Sequence, residues 1–328
     1  MSNLGLAIVG VCLILGSCAN NNAVVAQVKP PEPCQQLSAP QVANQADYRQ
    51  LTISINSSGD VPAMLSHSDL RIPNGNQDIS VQVFQQEAAS VGILVDTSGS
   101  MEPKMIQAKM ILTDLIDGLN PQDQAFLMTF SSRPFVLQAF TTDHTWLKRR
   151  VDSLHAFGQT SLLDSIILGL RAVKQGCYEN KALFVITDGE DNVSVATHSV
   201  MMTAAKESKV PIITLWTGDS AVAGPHSARL YADLFPFVYK NQYFDVDPLQ
   251  SLADASRGKA YVLSKPGDAA AKQIALAIAN EIDNHYTVGF VAPADSKIEI
   301  ELLNHPGSVL RLDDAPPDVT VVSANRPL

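Results

Sequence analysis

A chain of 328 residues that is 46% hydrophobic and 17% charged has material for one large domain, or one domain with appendages, and excludes global disorder. Its 23 Lys and Arg stand against 33 Asp and Glu, a formal charge of -10. That balance argues against nonspecific binding to nucleic acid or anionic lipid, and it suits capture of a cation.

The first residues read as an address rather than as fold. Residues 4–15 are an uncharged, mostly apolar run, the length of a signal-peptide core and too short to span a bilayer. No Lys or Arg precedes the run, so only the amino terminus supplies positive charge. Leu15-Gly16-Ser17-Cys18 resembles a bacterial lipobox, in which the cysteine is lipidated and becomes the new first residue. Cleavage after Ala26, as in ordinary secretion, is the alternative. Ala19 after the cysteine resembles outer-membrane sorting. On this reading residues 1–17 are a lipoprotein signal and 18–47 a disordered tether, Asn- and Pro-rich at Asn20-Asn21-Asn22 and Lys29-Pro30-Pro31-Glu32-Pro33. The expected location is the bacterial cell envelope, by a lipid anchor, with secretion as second choice. Cys12 leaves with the signal; Cys34 and Cys177 remain as a disulfide or as two unpaired thiols. No Cys-x-x-Cys or His-x-x-x-His spacing points to zinc.

Residues 48–88 change character. Leu51-Thr52-Ile53-Ser54-Ile55 alternates as a half-buried strand does, and further strands flank the Pro73-Asn74-Gly75-Asn76 turn. This small β extension is too short to be independent, and it is expected to pack on the main domain.

From Val91 strand and helix alternate. A strand over 91–95 leads to a helix over 104–119; strands over 125–130 and 135–140 follow, then helices over 146–154 and 162–174. A strand over 181–187, a helix over 199–206 and a strand over 211–216 come next, and then helix 249–255, strand 260–263 and helix 269–285. The pattern predicts an α/β fold: a doubly wound, mostly parallel central sheet with helices on both faces. The domain is expected over 89–290. Residues 219–248, with Tyr231, Phe235, Phe237, Tyr239, Tyr243 and Phe244, read as an insertion with its own small core or as an exposed binding patch. Residues 291–328 are expected to form a β hairpin and a loose tail.

Three strand-to-helix junctions carry oxygen donors. Asp96, Ser98 and Ser100 follow the first strand, Thr160 precedes a helix, and Asp188 closes the strand ending at Thr187. Loops at the carboxyl ends of strands are where open α/β sheets place ligands, and carboxylates with hydroxyls are hard donors suited to Mg²⁺. The set resembles the metal-ion-dependent adhesion site of von Willebrand factor type A domains: Asp-x-Ser-x-Ser, a distant Thr, and a distant Asp followed by Gly. The resemblance covers about residues 88–290, and the preceding β segment resembles bacterial secreted proteins with a divergent type A domain.

The resemblance implies a cation, Mg²⁺ or else Mn²⁺ or Ca²⁺, bound directly by Ser98, Ser100 and often Thr160, with Asp96 and Asp188 acting partly through water. It also implies one coordination position left open for a carboxylate from a partner protein. Gln159, Ser161 and Glu190 are candidate ligand contacts. Asp164 orients its loop or lies on the surface; Glu102, Glu190 and Asp191 are outer carboxylates or helix N-terminal charges. The expected function is a cation-dependent binding module for adhesion or complex assembly, not an enzyme. Its partner is a protein with an exposed Asp or Glu, with no nucleic acid or nucleotide, and the membrane is met only through the lipid anchor. An envelope scaffold with a purely structural metal is the alternative. A Mg²⁺-dependent hydrolase ranks lower, because no Gly-x-x-x-x-Gly-Lys-Ser/Thr or Gly-x-Ser-x-Gly occurs and no His lies beside the three loops.

Overall fold

The computed structural model describes residues 47–57, 65–75, 77–218, 246–263, 268–293, 296–303, 308–312 and 317–323. The signal, nearly all of the tether with Cys18 and Cys34, and residues 219–245 of the expected insertion lie outside them. In chain order the strands are β1 (Tyr48–Ser57), β2 (Leu70–Arg71), β3 (Pro73–Asn74), β4 (Gln77–Asp78), β5 (Val81–Gln86), β6 (Ala89–Asp96), β7 (Gln124–Phe130) and β8 (Pro134–Thr141). They continue with β9 (Asn180–Thr187), β10 (Ile212–Trp216), β11 (Ala260–Val262), β12 (His285–Val291), β13 (Ile298–Leu302), β14 (Ser308–Leu312) and β15 (Val319–Ser323). The helices are α1 (Met105–Gly118), α2 (His144–Asp152), α3 (Leu162–Val173), α4 (His198–Ser208), α5 (Val246–Ser256) and α6 (Asp268–Asp283).

Six strands form the main sheet in the order β11-β10-β9-β6-β7-β8, parallel throughout except for β8, which runs antiparallel at the edge. Central β6 is buried along its whole length. Its pleat divides the core in two. Val91, Ile93 and Val95 pack under α1, α2 and α6, while Leu94 packs with α3, α4 and α5 on the other face. Each such side chain contributes about 1.5–3 kcal/mol by leaving water. Gly92 has a packing reason: a Cβ there would stand 2.6 Å from Leu183 Cδ1 and 2.7 Å from Phe126 Cζ. This agrees with the expected doubly wound fold.

The flanking β segments depart from expectation. β12 does not join the main sheet; it pairs antiparallel with β1 (Leu51 opposite Val288) and with β5 (Val288 opposite Phe84), in a sheet ordered β14-β1-β12-β5. A domain boundary at residue 290 therefore cuts through β12, an inner strand of this second sheet that begins at His285. No hairpin joins β13 to β14: β14 pairs with β1, whereas β13 lies between β15 and β2 in a third sheet. The tail is not loose at 319–323, which is β15, parallel to β13. The two small sheets close on one core that includes Ile53, Ile72, Tyr286, Val288, Phe290 and Ile300. The amino-terminal and carboxy-terminal segments thus supply half-cores that are incomplete alone. They meet the α/β body where Glu87 N donates to His285 O (2.9 Å), at the start of β6 and away from its carboxyl end.

Candidate metal centre

The carboxyl ends of β6 and β9 lie side by side, since Val95 pairs with Ile186. Asp96 is the last residue of β6 and is fully buried. Its Oδ1 accepts from Ser98 N (2.8 Å), turning the chain sharply, and its Oδ2 accepts from Thr187 Oγ1 (2.6 Å) at the end of β9. Ser98 Oγ and Ser100 Oγ stand 3.2 Å apart, joined by a hydrogen bond. Asp188 follows Thr187; its carbonyl accepts from Trp216 Nε1 (2.9 Å), which ties it to β10.

The Thr160 loop is brought in by backbone bonds. Thr97 N donates to Phe130 O (2.8 Å), Phe157 N to Thr97 O (2.7 Å) and Gly99 N to Gly158 O (3.0 Å). Gly158 has φ +81, and a Cβ there would meet Ser132 Oγ at 2.9 Å, so this approach needs glycine. Thr160 is buried; its N–H donates to Asn192 Oδ1 (2.8 Å), and its carbonyl accepts from Asn192 N (3.0 Å) and Val193 N (3.2 Å). The structure thus brings all three predicted loops to one rim.

Of the neighbouring residues, Asp164 orients a loop, but the next one: its carboxylate accepts from Val195 N and Ala196 N, both at 2.9 Å. Asp191 sits over the start of α3, accepting from Leu163 N (3.3 Å) and Ser194 Oγ (2.6 Å), as a helix N-terminal charge does. Gln159 is exposed, with its N–H donating to Ser132 Oγ (3.1 Å); Ser161 is buried, with its N–H donating to Ser131 O (2.8 Å). Glu190 is exposed, yet desolvation and the charge of Asp188 raise its pKa while Lys104 opposes them.

Lys104 is not among the site residues that the sequence points to. Its Nζ donates to Asp188 Oδ2 at 3.0 Å. Thr187, Asn192 and Trp216 were also missed, because nothing in their local sequence marks them; only the pairing of strands brings them to the site.

The electrostatics call for positive charge. Burial and then the charge of Asp188 push Asp96 up to about 7. Asp188 Oδ1 is buried and without a hydrogen-bond partner. Two close carboxylates, one orphaned oxygen and clustered neutral hydroxyls suit a hard divalent cation. Among the described residues no three His, Cys, Asp or Glu side chains gather as a metal cluster would.

A family model for the von Willebrand factor type A domain matches residues 91–190, the stretch from the Asp96 strand through the Asp188 loop. Over that segment the chain is similar to von Willebrand factor type A domains. The chain is similar to inter-alpha-trypsin inhibitor heavy chain H4 of Bos taurus, 27% identical over 152 residues, which is 41% of this chain and 16% of that protein. It therefore spans only a small part of that relative's length. Among solved structures it is similar to a von Willebrand factor type A protein from Catenulispora acidiphila (TM-score 0.48, 13% identity, 81% of this chain and 73% of that one). It is also similar to BatB from Bacteroides thetaiotaomicron (TM-score 0.45, 19% identity, 59% of this chain and 98% of that one). No helix among the described residues is long and apolar enough to cross a membrane.

Proposed function

We propose that the type A domain is a divalent-cation-dependent protein-binding module that serves adhesion or complex assembly at a bacterial cell envelope. Type A domains are interaction modules; the finer reading rests on the buried, partnerless Asp188 Oδ1 standing with Asp96 and the Ser98–Ser100 hydroxyl pair. Asp96, Ser98, Ser100, Thr160 and Asp188 would hold Mg²⁺, or Mn²⁺ or Ca²⁺ in its place. The bound ion would supply an electrophilic position for an Asp or Glu carboxylate of a partner, since neutral hydroxyls leave its charge largely unquenched. Thr187 holds one oxygen of Asp96, and Asn192 holds the Thr160 backbone, so both act as positioning residues. Lipidation at Cys18 would place the module on the membrane, and a Cys34–Cys177 bond would fasten its tether.

The test is crosslinking on intact cells with the wild-type protein and Asp96→Ala, followed by identification of what the variant loses. A partner captured by wild type, and lost both in the variant and in chelator, is the expected result. Capture that ignores chelator and substitution alike overturns the metal-dependent reading and favours the scaffold.

A further inference from the structure

Beside the metal centre the rim opens into a cavity of about 470 Å³ lined by Thr97, Ser131, Arg133, Phe135, Leu137 and Phe157, among others. Two of its lining residues belong to the loops that build the centre. Thr97 stands between Asp96 and Ser98, and Phe157 opens the loop that reaches Thr160 three residues on, at most about 11 Å of extended chain away. The Ser131–Ser132 turn is bonded to that same loop, through Ser161 N to Ser131 O and Gln159 N to Ser132 Oγ.

Its mouth is unlike the rest of an acidic, well-buried α/β body. Phe135 and Phe157 are 60% and 66% exposed, among the largest apolar surfaces left to water in the described residues. Ile106 in the first turn of α1 and Val195 beyond β9 are exposed at the same end of the sheet. Arg133 is exposed and enters no ion pair among the described residues, although the chain carries an excess of ten acidic groups. Exposed aromatics beside a concave opening, with one unpaired guanidinium, are the composition of an interface anchor.

We propose that this groove is the specificity subsite of the type A domain. It takes a large apolar side chain of an extended partner segment, set within about three residues of the acidic residue captured at the metal centre. Arg133 receives a second carboxylate of the same segment. The occupant is therefore an acidic, aromatic- or leucine-bearing stretch of a protein. The volume suits a side chain with its flanking backbone, being within the range of about 300–1,000 Å³ usual for ligand pockets. The positive charge of Arg133 complements the acidity that the centre selects. The inference rests on the proposed capture of a carboxylate for the choice of peptide, but the groove itself is tested separately.

The probes are labelled Gly/Ser peptides bearing one Asp, one Asp with Phe two residues away, or the Asp–Phe pair with a second Asp, titrated by fluorescence polarisation into the full-length protein with Mg²⁺ and with chelator. Phe should tighten binding about tenfold, equivalent to about 1.4 kcal/mol. The double variant Phe135→Ala/Phe157→Ala should erase that gain while leaving Mg²⁺ affinity and binding of the plain Asp peptide unchanged; both side chains are exposed, so the variant keeps its fold. Arg133→Ala should cancel only the contribution of the second Asp. A Phe gain that survives the double variant, or no gain at all, overturns the groove. Plain Asp peptide binding that is indifferent to chelator overturns metal capture instead, and a Phe gain still abolished by the double variant then leaves the groove standing alone. Failure of every peptide overturns both.

Discussion

Asp96 holds its proton up to about pH 7 in the metal-free protein, because burial and the Asp188 charge both penalise its ionised form. A cation needs the carboxylate, so proton and metal compete. Divalent affinity should be flat above about pH 7 and fall by up to about tenfold per pH unit below it, with proton release on binding. Calorimetry in two buffers of different ionisation enthalpy reads both effects. The sign for stability runs the other way in chelator: between the ordinary carboxylate range and about 7 the folded state binds the proton better than the unfolded chain, so metal-free stability declines as pH rises through that window. Lys104 is the second residue-scale case. Its ammonium, 3.0 Å from Asp188 Oδ2, neutralises a carboxylate that a bound cation would also claim. Lys104→Met should raise Mn²⁺ affinity about three- to tenfold and lower the melting temperature in chelator, since a buried carboxylate left without a partner costs about 1–3 kcal/mol. Titration calorimetry and thermal melts of the same variant separate the two effects, and a melting temperature unchanged in chelator would contradict the assignment.

At the scale of elements, the joint between the α/β body and the β sandwich rests on a pair of acids. Asp123 Oδ1 accepts from Ala89 N (2.6 Å) at the start of β6, and its Oδ2 accepts from Asn120 N (2.9 Å) after α1. Asp283, which ends α6, is buried beside it, with its Oδ1 lacking a hydrogen-bond partner. Burial and the neighbouring charge hold the proton on Asp283 to about 9. The raised value means that the folded state keeps a proton the unfolded chain releases near pH 4, so stability falls as pH climbs from there toward 9. Asp283→Asn keeps a neutral donor without the titration. It should flatten the decline of the urea-denaturation profile at alkaline pH; parallel profiles would contradict the pairing. The strand beginning at His285 just beyond this joint falls within the domain expected over 89–290. The Tyr286–Val291 run has the apolar content of a buried strand, and such content does not say which sheet a strand enters. That is decided by its neighbours, Leu51 opposite Val288 on one side and Phe84 on the other.

At the scale of the molecule, Cys177 and the metal rim lie at opposite ends of β6. Cys177 is disulfide-bonded, and its neighbour Tyr178 donates its N–H to Ser90 Oγ (3.0 Å) at the start of β6. Asp96 ends that strand six residues on, about 20 Å away. The other three cysteines lie outside the described residues. Were Cys12 removed with a signal and Cys18 lipidated, as proposed above, Cys34 would be the partner of Cys177. A non-reducing peptide map should yield a Cys34–Cys177 linked fragment; two free thiols at these positions would contradict it.

The sequence alone was enough for the doubly wound class and for the convergence of Asp96, Ser98, Ser100, Thr160 and Asp188 at one rim, because alternating apolar runs set the strands and because loops at strand ends in a parallel sheet must share one face. It could not place β12, pair β13 with β15, or show that the end of the chain folds back, since short alternating strands carry no mark of their partners. Nor could it reveal Lys104 against Asp188, Asn192 under Thr160, or the Phe135–Phe157 groove. Those contacts join residues tens of positions apart, and they exist only once burial and strand register have fixed the distances between them.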